Sequence, residues 1–130
     1  MQRTWLLCHR SVPDVIQMQL LTEEKYQKCI NLCYGCAQAC DACTAACLNE
    51  KDVKKLTMCI ELNQDCAEAC VWTARYMARN SVLSEAACSM CAEICDACAD
   101  ECEKHKTMEH CVKCAKACRE TAKECRKMLK

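Results

Sequence analysis

The sequence predicts an all-α protein, specifically an antiparallel up-down-up-down four-helix bundle with a cysteine-lined core. Three observations lead to this prediction. The 130 residues include one Gly and one Pro, whereas the helix formers Ala, Glu, Lys, Leu and Met are abundant. The chain has the length of one domain with a single core. Most of the 19 cysteines recur at the three- and four-residue spacing of a buried helical stripe.

Four helical segments are predicted between short polar breaks. The first follows Thr22, a suitable N-cap before two acidic residues, and runs to about Leu48. The others are predicted at about 53–78, 83–105 and from 107 to the C-terminus, separated by breaks near 49–52 and at Asn80-Ser81. Short connections favour antiparallel neighbours. We therefore assign the bundle to residues 22–130 and treat residues 1–21 as an N-terminal extension whose structure the sequence leaves open.

The cysteines form one stripe on each predicted helix. In the first helix they are separated by four, three, four, three and four residues, which is the spacing of the a and d positions that face a bundle axis. The stripes comprise Cys29, Cys33, Cys36, Cys40, Cys43, Cys47, Cys59, Cys66, Cys70, Cys88, Cys91, Cys95, Cys98, Cys102, Cys111, Cys114, Cys118 and Cys125. The remaining stripe positions hold Leu56, Asn63, Thr73, Met77, Thr121 and Met128. Only Cys8 falls outside the stripes.

The polar residues within these stripes are interpreted as structural. We expect Asn63, Thr73 and Thr121 to form hydrogen bonds with the backbone or with each other inside the core. Trp72, which lies off the stripe, is expected to cover the bundle or to pack between protomers.

Charge and hydropathy argue against several classes of function. Eighteen basic residues balance eighteen acidic ones and are scattered along the chain, so nucleic acid is not an expected partner. The apolar run at residues 5–7 is too short for a secretory signal or a membrane span, so we expect a cytoplasmic protein with no membrane partner. No nucleophile, base and orienting group stand out together, and no βαβ pattern accompanies the Cys-x-x-Cys pairs, so we expect no enzyme.

A core lined with cysteine requires an explanation beyond simple burial. Cysteine does act as a small buried hydrophobe in ordinary cores, but a column of thiols would leave a bundle underpacked. Disulfides are a poor alternative, because neighbours on one stripe are badly placed for relaxed bridges and a reducing cytoplasm opposes them. Metal ions bound by thiolates remain.

Thiolate sulfur favours Cu(I), Zn(II) or iron–sulfur clusters. Zinc and iron–sulfur sites usually take their ligands from turns and loops, whereas these ligands follow helices. Triplets such as Cys29-x3-Cys33-x2-Cys36 match the spacing of some iron–sulfur loops, but the heptad repeat explains them. One Cu(I) per thiolate would also neutralise the core, which then holds on the order of 18 ions. Zinc needs about four sulfur contacts per ion, and a zinc- or cadmium-binding protein of metallothionein type remains the alternative.

The residues also resemble a known family. The segments Cys29-Ile-Asn-Leu-Cys33-Tyr-Gly-Cys36, Cys91-Ala-Glu-Ile-Cys95-Asp-Ala-Cys98 and His110-Cys111-Val-Lys-Cys114 are similar to those of the bacterial copper storage proteins, in particular their cytosolic branch. The resemblance covers about residues 22–130. It implies four-helix protomers assembled into homotetramers, with several Cu(I) ions bound along the core, mostly between pairs of cysteines. It also implies a role in storing or buffering copper, with copper chaperones as candidate partners.

Ligands that bind copper more weakly than thiolate are expected to gather at one end of the bundle. In an up-down-up-down arrangement this end, which we call the mouth, is lined by Cys47, Cys59, Cys102 and Cys111. Four further candidate metal ligands belong there: Met58, His105, Met108 and His110. Thioether and imidazole groups hold copper more weakly than thiolate, so the mouth is a candidate copper entrance; taken singly, such residues are more often surface or packing residues. Tyr26, Met77 and Met128 are expected to close the opposite end.

Overall fold

The computed structural model describes residues 24–130, which contain four α-helices and one 3-10 helix. Their bounds are Gln27–Leu48 (α1), Val53–Leu56 (3-10), Thr57–Ala78 (α2), Ser84–Cys102 (α3) and Glu109–Lys127 (α4). The expected N-cap Thr22, the extension of residues 1–21 and Cys8 lie outside the described range. Within this range, no helix is long and apolar enough to cross a membrane.

The number and order of the predicted helices are confirmed, and the differences lie at their ends. The second helix begins with a 3-10 turn, in which the Lys55 amide bonds to the Asp52 carbonyl three residues back, before the α-helix starts at Thr57. The third helix ends at Cys102 because the amides of Lys104 and His105 make similar three-residue bonds. Met108 is extended, so α4 starts two residues later than predicted. Tight 3-10 turns of this kind satisfy the free backbone groups of helix ends.

The predicted break at Asn80-Ser81 is confirmed, and it has a defined geometry. Asn80 has a φ of 52°, a left-handed conformation that Asn tolerates better than most residues. Its amide bonds to the Met77 carbonyl, and the Ser81 amide bonds to the Tyr76 carbonyl. These two bonds form a Schellman motif, which ends α2 and redirects the chain into α3.

The helices pack in a closed ring in which each one contacts its neighbours in the chain and α4 returns to α1. Sulfur contacts show their direction. Cys29 near the start of α1 lies 3.7 Å from Cys125 near the end of α4, whereas Cys43 lies 3.9 Å from Cys111 near the start of α4. The two helices are therefore antiparallel, as the up-down-up-down arrangement requires.

The centre of the bundle is built mainly from small side chains. All 18 cysteines of residues 24–130 are buried, and alanines such as Ala74, Ala92 and Ala99 line the flanks of the cysteine stripes. Leu56 and Met77 are the largest fully buried side chains of the described range; Leu56 ends the 3-10 helix just before α2, and Met77 lies near the end of α2. Small residues let the helices approach closely and bring the thiols together along one axis.

A network of ion pairs joins α3 to α4 on the surface. The guanidinium of Arg119 lies 2.9 Å from Asp96, 2.5 Å from Asp100 and 2.7 Å from Glu103, and Arg126 also bonds to Asp96. Although burial raises the pKa of Asp96, its hydrogen bonds to Arg126 and Arg119 outweigh that effect, so the pKa is lowered. The folded state therefore favours the charged carboxylate at this position.

Replacing Arg119 with Gln is expected to lower the free energy of unfolding of the reduced apoprotein by about 1 kcal/mol at pH 7, since several partners lose one shared cation. Asp96 has a lowered pKa, so its contribution is present above the unfolded value of about 3.9 and disappears as the pH falls through the folded value. The difference between the two proteins should therefore shrink as the pH falls below the unfolded value of about 3.9. Urea unfolding followed by circular dichroism, at pH 7 and at a pH below about 3.9, measures this difference in the free energy of unfolding.

Lys113→Gln is the matched control, because Lys113 pairs only across an exposed helical turn with Glu109 and should contribute a few tenths of a kcal/mol. The assigned role of the network would be contradicted if both variants lost the same free energy of unfolding. It would also be contradicted if the loss for Arg119→Gln did not change with pH.

Candidate metal centre

The buried thiols converge on the bundle axis from all four helices. Cys66 of α2 illustrates the arrangement: its sulfur lies 3.9 Å from that of Cys36 in α1, 3.6 Å from Cys95 in α3 and 3.8 Å from Cys118 in α4. All 18 cysteines of the described residues are free thiols. The stripes predicted from the sequence therefore form one continuous column of sulfur atoms.

Several sets of neighbouring thiols are compact enough to hold a metal ion. In each set the ligand atoms lie within 4.8 Å of one another. They include the four-cysteine sets 36/40/66/118, 36/66/70/95, 40/98/114/118 and 43/47/59/111, and the three-cysteine set 29/88/125. Each of these sets draws on three different helices. Because several cysteines belong to two sets, a sulfur atom can bridge neighbouring ions, and metal can be bound along the whole column.

The electrostatics of the thiols depend on their position in the column. At the mouth, burial raises the pKa of Cys47 and Cys111, and the neighbouring Cys43 raises both further because adjacent thiolates repel each other. Contacts with Cys102 and with His110 lower the pKa of Cys43 to about 5. The thiols therefore ionise unequally, and full ionisation requires the positive charge of bound metal.

His110 is the imidazole that reaches the thiol column. Its Nδ1 lies 3.4 Å from the sulfur of Cys43, 3.5 Å from that of Cys111 and 3.9 Å from that of Cys47. Its Nε2 lies 3.3 Å from a carboxylate oxygen of Glu50. Burial lowers the pKa of His110, but the hydrogen bonds with Cys43 and Glu50 outweigh it and raise the pKa overall.

The other three residues expected at the mouth do not join the thiols in the same way. His105 instead places its Nε2 3.0 Å from a carboxylate oxygen of Glu101, and this pair is partly buried at the end of α3. Met58 is 52% exposed. Met108 is partly buried and packs against the core. Of the four candidates, the structure brings His110 alone into hydrogen-bonding distance of core thiols.

Asn63 has a role that the sequence interpretation missed. Its side-chain amide does not bond to the backbone: Oδ1 accepts hydrogen bonds from the thiols of Cys98 (3.1 Å), Cys114 (3.3 Å) and Cys102 (3.7 Å). Its Nδ2 donates to the sulfur of Cys59. The expectation was therefore wrong for Asn63. Its place in the stripe, four residues after one cysteine and three before the next, was a signal that its side chain would face other thiols.

The interpretation of the two threonines is confirmed. The hydroxyl of Thr73 donates to the carbonyl of Ala87, and that of Thr121 donates to the carbonyls of Ala117 and Leu32. Both side chains are fully buried and have their hydrogen bonds satisfied by the backbone.

Larger side chains close the end opposite the mouth, as expected. Met77 is fully buried, and its thioether sulfur lies 3.7 Å from the thiol of Cys88. Tyr26 and Met128 pack against the same core. The thiol column is therefore covered by Met77, Tyr26 and Met128 at this end, and by the buried Leu56 together with the imidazole of His110 at the mouth.

The chain is similar to known proteins over the whole bundle. A family model described as copper storage protein matches residues 22–130. Among curated proteins, the uncharacterized cysteine-rich protein YhjQ of Bacillus subtilis strain 168 is 40% identical over 89 residues, which cover 68% of this chain and 82% of that protein.

Two solved structures are similar in both fold and sequence. The Cu(I)-bound copper storage protein BsCsp3, from Bacillus subtilis, superposes with a TM-score of 0.78 and 39% identity, covering 82% of this chain and 99% of that one. A cytosolic copper storage protein from Streptomyces lividans, loaded with five coppers, gives a TM-score of 0.79 and 42% identity over 84% of this chain and 95% of the other. With a family match that spans the bundle and relatives that share its fold, the chain belongs to the copper storage protein family.

Proposed function

We propose that this protein stores many Cu(I) ions on the thiolates of its core and so supplies or buffers copper in the cytoplasm. The observation that carries the proposal is the continuous column of buried thiols, in which sulfur atoms from different helices lie 3.6 to 4.0 Å apart. Relatives with the same fold are copper-loaded storage proteins, one of them cytosolic, which supports the same cargo and location here. Storage requires no catalytic group.

The charge of the core favours Cu(I) over divalent cargo for filling the whole column. One Cu(I) per thiolate leaves the interior neutral, whereas a divalent ion with four thiolates leaves a net negative charge in a buried site. Cu(I) is a soft ion that two or three sulfurs can hold, and each sulfur can bridge two ions. The proposed ligands are the 18 core cysteines, with His110 as a weaker ligand at the mouth.

Copper enters and leaves through the mouth in this proposal. His110 meets three thiols there, while the opposite end is covered by Met77 and its neighbours. A copper chaperone, the candidate partner, would exchange its ion at this end. Met58, His105 and Met108 surround the mouth without joining the thiols and are assigned at most a peripheral part.

The proposed assembly is a homotetramer that covers an apolar face of α2 and α3. Trp72 is 47% exposed and lines a shallow groove of about 260 Å³ together with Leu62, Met90 and Ile94. A second copy of the chain is the proposed occupant, because exposed aromatic and aliphatic groups on one face are typical of subunit interfaces.

Native mass spectrometry should detect tetramers for the parent protein and smaller species for Trp72→Glu.

Anaerobic titration of the reduced protein with Cu(I) is expected to saturate near one ion per core cysteine, about 18 in total, and to release close to one proton per thiol. Metal analysis after desalting gives the capacity.

Cys118→Ala should lower the capacity, since the sulfur of Cys118 contacts those of Cys36, Cys40 and Cys66 in the parent protein. Cys8→Ala, outside the stripes, should leave it unchanged. Retention of a few divalent ions and little copper would instead favour the metallothionein-type alternative.

Replacing His110 with Ala is expected to slow Cu(I) loading and removal by a competing chelator several-fold, while the final capacity changes by at most one ion. The deep thiolates remain intact, so the effect is on the rate. His105→Ala is the matched control, because its imidazole contacts Glu101. Stopped-flow absorbance of the copper–thiolate bands measures both variants. Loading of His110→Ala at the parent rate would remove His110 from the copper path.

A further inference from the structure

Three sulfur atoms and one nitrogen at the mouth are arranged at nearly equal separations. The sulfur of Cys43 lies 3.9 Å from those of both Cys47 and Cys111. His110 Nδ1 lies 3.4, 3.5 and 3.9 Å from the sulfurs of Cys43, Cys111 and Cys47. These four atoms come from the end of α1 and the start of α4, and they mark the corners of a small tetrahedron whose sixth edge, between the sulfurs of Cys47 and Cys111, is at most 4.8 Å.

The size of this tetrahedron matches the coordination shell of zinc. Zn–S bonds of about 2.3 Å at tetrahedral angles place sulfurs about 3.8 Å apart, and Zn–N bonds of about 2.0 to 2.1 Å place sulfur and nitrogen about 3.6 Å apart. The five separations given above differ from these values by at most a few tenths of an ångström. Cys3His is a common ligand set of structural zinc.

The residue behind the imidazole also fits a metal ligand. Glu50 accepts a hydrogen bond from Nε2 of His110, which leaves the lone pair of Nδ1 directed at the three sulfurs. Metal-binding histidines commonly donate their second nitrogen to a carboxylate in this way, which fixes the tautomer and strengthens the ligand. Glu50 lies in the connection after α1, so the connection itself supports the site.

We propose that the mouth contains a preformed site for one Zn(II) ion, bound by Cys43, Cys47, Cys111 and the Nδ1 atom of His110. Binding releases the protons that these groups carry in the apoprotein, so the ligands are three thiolates and a neutral imidazole. No redox step is involved. The role of this ion rests on the proposed function: Cu(I) that arrives later must displace Zn(II) before it passes inward, so zinc blocks the entrance to the copper store until it is displaced.

Charge distinguishes this site from the other thiol sets. Zn(II) with three thiolates and one imidazole carries one net negative charge, at the end of the bundle. Cys59, the fourth member of the set 43/47/59/111, would give a four-thiolate site with two negative charges, and the deeper four-cysteine sets would bury the same charge further from water. Burial of an unpaired charge is costly, so the first divalent ion goes to the site that contains His110.

The test uses the reduced full-length apoprotein with Co(II) as an optical probe and Zn(II) as the competitor. The first equivalent of Co(II) should give the visible absorption bands of a tetrahedral site with three sulfurs and one nitrogen, and one equivalent of Zn(II) should abolish them. His110→Ala should lower the affinity for the first ion by about 10-fold or more and shift the bands toward those of an all-sulfur site. His105→Ala should leave both unchanged.

Glu50→Gln tests the same geometry without removing a ligand. It keeps a hydrogen-bond acceptor but removes the negative charge, so the bands should persist while the affinity falls by about 10-fold. The proposal would be overturned if His110→Ala bound Co(II) with the spectrum and affinity of the parent protein. It would also be overturned if the first equivalent of Co(II) were distributed over several sites. Circular dichroism verifies that each variant is folded. The Cu(I) capacity of the same preparations is measured separately, so a failure of copper storage is distinguished from a failure of the zinc site.

Discussion

The structure depends on the close packing of thiol groups at successive layers of one helical bundle. A protonated thiol is small and apolar enough to sit in a core, so four helices can enclose 18 such groups with little buried charge. The same groups become soft anionic ligands when a metal replaces their protons. One residue type therefore serves both states, and the fold need not change between them. The alanines beside the stripes are part of the same constraint, because larger side chains would separate the sulfur atoms.

Most of the fold could be predicted because a single periodicity determines it. The repeat of three and four residues sets which face of each helix is buried, and the breaks at Asn49 and Asn80 set the helix order. Helix ends were less predictable, since 3-10 turns such as Val53–Leu56 depend on local hydrogen bonds that leave no mark in the hydrophobic pattern. The cysteines that belong to each thiol set could be assigned only from the structure. Each set described above combines three helices, and their relative register cannot be read from the spacing of the cysteines.

The mouth shows where sequence reasoning fell short. Met58 directly precedes Cys59, and adjacent residues on a helix point about 100° apart, so the side chain of Met58 is turned away from the axis that Cys59 faces and is half exposed. His110 also precedes a core cysteine, but it lies in the first turn of α4, where an outward side chain can still fold over the open end of the column. Asn63 could be placed in the core from its position, whereas its thiol partners depend on the approach of α3 and α4.

Because the thiol sets described above each draw on three helices, bound metal restricts the motions of the loaded protein. A metal ion in such a set joins segments that are far apart in the chain, such as Cys40 of α1 and Cys98 of α3. No single helix can then detach without breaking metal–sulfur bonds, so partial opening becomes nearly as costly as global unfolding. Amide hydrogens that exchange through separate openings in the apoprotein would exchange together when the column is full. Bound metal would thus make the four helices unfold as one cooperative unit.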